Sequence, residues 1–221
     1  MTEPAATGTL DYLREPAEIY RRSAAAIRAE ADLGTLGAAL RPIAERLIHA
    51  CGMVDIVADL AAHGAVIEAA QAALAAGRPV LCDGRMVAAG IIAARLPAAN
   101  PILCRIGDLE TAALAARAQT TRAAAAVELW QPDLGGAVVA IGNAPTALFR
   151  LIELLQAGTA KPAAIFAFPV GFVGAAESKA ALIASDLDVP YLTLRGRRGG
   201  SALAAAAINA LTGPLAPEIA T

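Results

Sequence analysis

The chain has 221 residues, 57% of them hydrophobic, 17% charged and only 4% aromatic, and eighteen basic against twenty acidic side chains leave a net charge of −2. These figures exclude a disordered chain and an electrostatic nucleic-acid binder, since no lysine or arginine block is present. The length fits one domain over residues 1–221, large enough to hold together without disulfides or a structural metal.

The mean hydropathy of +0.55 raises the question of a membrane span. No apolar run approaches the ~18 residues a span needs; the candidate Met86–Ala94 has nine, between Arg85 and Arg95. The start, Met1-Thr-Glu-Pro, lacks the basic and apolar segments of a signal peptide. Cys51, Cys82 and Cys104 form no CxxC and no zinc spacing. A cytoplasmic protein with free thiols and no metal is expected.

In chain order, residues 1–10 are small, polar and expected to be flexible. Pro16, behind Glu15, starts a helix to about Asp32. A second runs from about Gly37 to Ala50, with Leu40, Ile43, Leu47 and Ala50 as its apolar stripe, and Gly52 ends it. A short helix follows from Gly64 to Ala76. Strands and helices then alternate: strand Pro79–Cys82 with helix Met86–Arg95, strand Ile102–Cys104 with helix Thr111–Glu128, and strand Ala137–Ile141 with helix Ala144–Gln156. Strand Ala163–Phe168 with helix Ala175–Ser185 and strand Tyr191–Leu194 with helix Ser201–Leu211 complete the series. The fold class is α/β: a mostly parallel sheet of about five strands flanked by helices, with an N-terminal helical segment. The abundance of alanine favours close packing of those helices.

Ligands of such sheets bind at the carboxyl ends of the strands, near a switch in strand order. Glycine stands in every one of the five strand-end turns. Gly142-Asn143-Ala144-Pro145 reads either as a plain turn or as a place where a bound anion meets free amides, with Gly142 giving close access and Asn143 capping the helix. Arg195-Gly-Arg197-Arg198-Gly199-Gly200-Ser201 reads either as a solvated basic loop or as an anion site capped by Ser201. Sixteen of the eighteen basic residues are arginine. That is either genome bias or a means of binding carboxylates with a planar fork. Of the two histidines, His49 is either an acid/base or a helix-end residue meeting the dipole; His63 reads as a surface or capping residue. No dinucleotide fingerprint, Walker A, GxSxG or HExxH motif occurs, so nucleotide, serine-nucleophile and zinc-protease chemistries lack their sequence signs. The residues alone reach an α/β protein with an anion-friendly rim and one acid/base candidate.

Taken together, the blocks Tyr20-Arg-Arg-Ser23, His49-Ala-Cys-Gly52, Val80-Leu-Cys-Asp83, Ala140-Ile-Gly-Asn-Ala-Pro-Thr-Ala-Leu148, Pro169-Val-Gly-Phe-Val-Gly-Ala-Ala-Glu-Ser-Lys179 and Arg195-Gly-Arg197 are recognisable. In this order, from about Tyr12 to Leu211, the chain resembles the precorrin-8X methylmutase family and its counterpart acting on cobalt-precorrin-8. The resemblance implies an isomerase of cobalamin biosynthesis that moves a methyl group from C11 to C12 of a corrinoid polycarboxylate, giving hydrogenobyrinic acid. It implies proton assistance and no dissociable cofactor. By resemblance His49 is the catalytic acid/base and Ser23 and Arg46 bind substrate. Further substrate contacts so implied are Arg122, Gly142, Asn143, Gly171, Phe172, Ser178, Lys179, Arg195, Arg197, Gly199, Gly200 and Ser201. Arg85 has no assigned role, and Arg198 is left out of the set. The family also implies a homodimer with sites near the subunit interface. The rival readings are the cobalt-containing substrate, a non-catalytic corrinoid carrier, and a nucleotide-dependent reductase whose glycine fingerprint is missing.

Overall fold

The computed structural model describes residues 10–215. Apart from Leu10, the segment expected to be flexible lies outside them.

Six strands form one sheet: β1 (Leu60–His63), β2 (Val80–Cys82), β3 (Ile102–Leu103), β4 (Val138–Ile141), β5 (Ala164–Ala167) and β6 (Tyr191–Leu194), in the order β1-β6-β5-β4-β2-β3. Five are parallel neighbours, with Leu81 opposite Leu103 and Val139, and Ile165 opposite Val139 and Tyr191. The sixth, β1, was not expected. It runs antiparallel at the edge, with Leu60 opposite Leu194 and His63 opposite Tyr191. Its sequence, Leu-Ala-Ala-His, has no β-branched residue and no alternation; it is a strand because β6 offers it a partner. His63 ends this strand and stacks on Tyr191 at 5.5 Å between ring centroids.

Alternate residues of each strand enter two cores, as the pleat requires. Val80, Cys82, Val138, Ala140, Phe166 and Leu192 face one core; Leu81, Val139, Ile141, Ile165 and Ala167 face the other. The first core is closed by α1 (Pro16–Glu30), α2 (Arg41–Cys51), α3 (Val66–Ala75), α4 (Arg85–Gly90) and α10 (Ser201–Ala210). The second is closed by α6 (Arg122–Glu128), α7 (Gln131–Leu134), α8 (Pro145–Gln156) and α9 (Ala175–Ala184). The buried run Ala204–Ala207 brings α10 very close to its neighbours: a Cβ built on Gly90 would lie 2.7 Å from that of Ala205.

The expected helix over Thr111–Glu128 is two, α5 (Leu109–Arg117) and α6. Gln119 takes φ 49°, and Thr121 starts α6 by accepting the Ala124 amide at 3.1 Å. The expected helix after β2 is also shorter, since α4 stops at Gly90 and a single 3-10 turn covers Ala93–Arg95. No helix among the described residues is long and apolar enough to cross a membrane.

Candidate active site

Strand order fixes where a ligand would sit. From β2 the chain moves outward to β3, then returns to the other side of β2 to form β4. The switch point therefore lies between the carboxyl ends of β2 and β4. Asp83 ends β2 there and is fully buried. Its two oxygens accept the amides of Gly142 (2.9 Å), Asn143 (2.9 Å) and Ala144 (2.7 Å) after β4. Burial pushes the Asp83 carboxyl up, and the backbone amides pull it back. This corrects the reading of the Gly142–Pro145 turn as an open anion site: the chain's own carboxylate takes those amides, and Asn143 makes no capping bond. Gly142 is bare for packing too, since a Cβ there would lie 2.7 Å from the Ala204 Cβ and 2.8 Å from the Ser201 Cα. The close approach expected of a ligand is made by α10.

In front of this clamp opens a cleft of about 330 Å³. Arg122, Asn143 and Ser201, all in the expected set, line it with Gly84, Arg85, Met86, Ile106 and Gly107. Ser201 is the first residue of α10, and Gly200, at φ 125°, takes the capping position in its place. Gly199 packs against the Phe168 and Pro169 carbonyls with no room for a side chain.

His49 occupies a different place, on α2 against α1. Ser23 and Tyr20, three residues apart on α1, both face it. The Ser23 hydroxyl is 2.8 Å from Nδ1, and the Tyr20 ring lies 5.6 Å from the imidazole with its plane tilted by 35°. The helices are tied below by Arg28, which forks onto the buried Glu45 carboxylate at 2.7 and 2.9 Å. Gly52 in the left-handed conformation (φ 69°) stops α2 just past His49. A hollow of about 190 Å³ results, with Ile27 and Ile48 as its apolar lining and Glu30 and Val54 at its side. Arg46, one turn before His49, donates to the Pro214 carbonyl at 3.3 Å. Burial, and then the Arg46 charge, hold the His49 pKa below its ordinary 6.5. Hollow and cleft share no lining residue.

The remaining expected residues lie on the rim or beneath it. Gly171 has φ 145° and precedes Phe172, which is 87% exposed with the Arg197 guanidinium 5.5 Å from its ring centroid. Arg195 is exposed. Ser178 and Lys179 were expected to touch substrate, and here the structure departs from the expectation. Both are fully buried; Ser178 donates to the Ala175 carbonyl, and the Lys179 ammonium donates to the Arg198 carbonyl at 2.5 Å. Helix α9 turns both inward, so Lys179 supports the 195–201 loop from beneath while Ser178 bonds within its own helix. Arg198, left out of the set, is spent on Asp55 and Asp59 at 2.7 and 2.6 Å. Tyr20, Asp83 and Arg85 were missed as site residues. Tyr20 had a usable sign, its position one turn before Ser23. So had Asp83, a carboxylate at a strand end facing a Gly-Asn turn. Among the described residues no three His, Cys, Asp or Glu side chains gather as metal ligands would.

Comparison with known proteins adds what the geometry cannot. Residues 18–213 match the family model described as CbiC, precorrin-8X methylmutase. A precorrin-8X methylmutase of Pseudomonas aeruginosa is 56% identical over 91% of this chain and 97% of its own length. One from Sinorhizobium is 52% identical over 92% and 97%. A cobalt-precorrin-8 methylmutase of Priestia megaterium is 38% identical over 77% and 76%. The crystal structure of a precorrin-8X methylmutase from Thermus thermophilus superposes with a TM-score of 0.80 at 35% identity, covering 88% of this chain and 94% of that one. An α/β sheet with a histidine hollow and an arginine-lined switch point is here an isomerase, an intramolecular transferase of cobalamin biosynthesis that acts on a corrinoid. The chain belongs to the precorrin-8X methylmutase family.

Proposed function

We propose that this chain converts precorrin-8X, the metal-free macrocycle, to hydrogenobyrinic acid by moving the methyl group from C11 to C12, with His49 as acid/base. The observation that carries this reading is the contact of His49 Nδ1 with the Ser23 hydroxyl at 2.8 Å. Among the described residues Nε2 has no hydrogen-bond partner, so it is the nitrogen left to exchange a proton with the ring. Burial and the Arg46 charge hold the His49 pKa below its ordinary value, so the charged imidazole yields its proton readily. Migration needs the ring held on one face and one atom protonated. Positioning and one acid then supply the catalysis.

Arg46, beside His49, suits a carboxylate arm. Asn143, Arg122, Arg195, Arg197 and Ser201 offer polar groups along the rim, and Phe172 an apolar surface. Gly142, Gly171, Gly199 and Gly200 act through the backbone paths they permit. Ser178 and Lys179 stay outside the proposed substrate contacts. The metal-free substrate is favoured because the relatives at 56% and 52% identity are named for it, and those named for the cobalt form stand at 38% and 36%. The reading includes one domain over residues 1–221, a cytoplasmic setting consistent with three free cysteines, and a homodimer with its sites near the interface. The 87% and 88% exposure of Phe172 and Val173 supports a second copy covering that loop.

An absorbance time course with precorrin-8X and no added metal or nucleotide tests it. A spectrum that evolves to hydrogenobyrinic acid is expected. A shifted but static spectrum would refute the metal-free assignment and turn attention to the cobalt form or to a carrier.

A further inference from the structure

Among the described residues, two guanidiniums in the switch-point cleft form no ion pair and no hydrogen bond. Arg105, the residue before Ile106, lies 3.5 Å from Asp108 and 3.6 Å from Asp133. Arg150 is held by Glu128 and Glu153, and Arg198 by Asp55 and Asp59. Arg85 and Arg122 line the cleft from α4 and α6, and neither has an acidic partner within 4.0 Å among the described residues. Both are exposed.

The Arg85 side chain also packs on the backbone opposite. Its guanidinium lies against Gly107 so closely that any Cβ there would overlap it. Asn143 and Ser201 add hydrogen-bonding groups, and Met86 and Ile106 add apolar walls. Among the described residues no carboxylate lines the cleft. Asp83, two residues before Arg85, spends both oxygens on three amides. At about 330 Å³ the space lies at the small end for ligand sites. It suits a side arm, not a whole macrocycle.

We propose that Arg85 and Arg122 together bind one acetate or propionate carboxylate of the macrocycle, which makes Arg85 a substrate-binding residue of this enzyme. The proposal rests on the corrinoid reading above. A carboxylate between two guanidiniums gains charge-assisted hydrogen bonds from each, and a fork accepts both oxygens at once.

Titration with hydrogenobyrinic acid, followed by its visible absorbance, tests this without turnover. Arg85→Ala and Arg122→Ala are each expected to weaken binding about tenfold to a hundredfold. The double variant should lose less than the product of the two, because both residues serve one group. Arg85→Lys should recover part of the affinity, since it keeps the charge and loses the fork. Gly107→Ala, which changes no charge, should weaken binding by displacing the Arg85 guanidinium. Both arginines are exposed, so thermal midpoints should hardly move and folding cannot mimic the result. Unchanged affinity in the two alanine variants would overturn the proposal, as would weakening in Arg122→Ala alone. If the unaltered protein failed to bind the macrocycle at all, the corrinoid reading would fall instead.

Discussion

His49 and Arg85 stand in hollows restrained in different ways. His49 is placed by side chains: Ser23 at its Nδ1, Tyr20 over its ring, and the Arg28–Glu45 fork that joins α1 to α2. The cleft of Arg85 is placed by backbone: adjacent parallel strands, three amides on one buried carboxylate, and a glycine turn on which α10 rests. Side-chain restraints can be removed singly, with graded loss of orientation. The backbone clamp cannot, because every amide in it depends on the same group. Substitutions around His49 should therefore change rate before stability, and substitutions at Asp83 stability before rate.

The largest effect should come from His49→Ala. Turnover of precorrin-8X should fall roughly 10²–10⁴-fold, with product affinity much less changed. Near-normal single-turnover rates would take His49 out of the mechanism. Next is Asp83→Ala, which leaves three amides without their acceptor and should cost about 3–5 kcal/mol in urea unfolding. Asp83→Asn keeps the volume and one acceptor oxygen, so its loss should be smaller. A cost under about 1 kcal/mol for the alanine variant would mean that the turn holds itself. Third is Ser23→Ala, expected to lower turnover about five- to tenfold by freeing the imidazole. If stability fell and rate did not, the contrast between the two regions would fail at the His49 end.

The pH profile sharpens the same contrast. Burial and Arg46 hold His49 below 6.5, so its limb in kcat/KM against pH should lie on the acid side of that value. Removing the Arg46 charge in Arg46→Met should move the limb upward, toward the pKa of a free histidine. A limb that stays in place would show that Arg46 does not act on His49.

Legibility differed between the regions for physical reasons. Val80–Cys82, Val138–Ile141, Ala164–Ala167 and Tyr191–Leu194 could be read as strands because buried parallel strands are short apolar runs. Leu60–His63 could not, since only its pairing with β6 makes it extended. The glycines of the rim marked turns correctly, but local sequence does not say what approaches them. The partner of Gly142 is Ala204, and the partner of its amide is Asp83, both distant in the chain. Lys179 was similarly opaque: its motif reads as a helix start beside a site, and only the packing of α9 shows the ammonium turned inward. His49 carried almost no local sign. It came forward through the whole order of motifs, and its setting against Ser23 and Tyr20 needed two helices to meet.

Lys179 offers the smallest effect, and it tests the backbone side of the contrast. Burial pushes its ammonium down from 10.5 to about 8. The folded chain therefore releases this proton at lower pH than the unfolded chain does. Between about pH 8 and 10.5 the unfolded state binds more protons at this site, so its contribution to stability rises with pH across that window. At pH 7 the group is charged in both states, and its burial cost is only partly offset by the Asp59 charge and the hydrogen bond to the Arg198 carbonyl. Lys179→Met removes the titration and that bond together. Urea midpoints of the two proteins at closely spaced pH values should show the rise in the unaltered chain and its absence in the variant. Parallel curves would place Lys179 in contact with water, and the 195–201 loop would then owe its shape to Arg198 and the glycines alone.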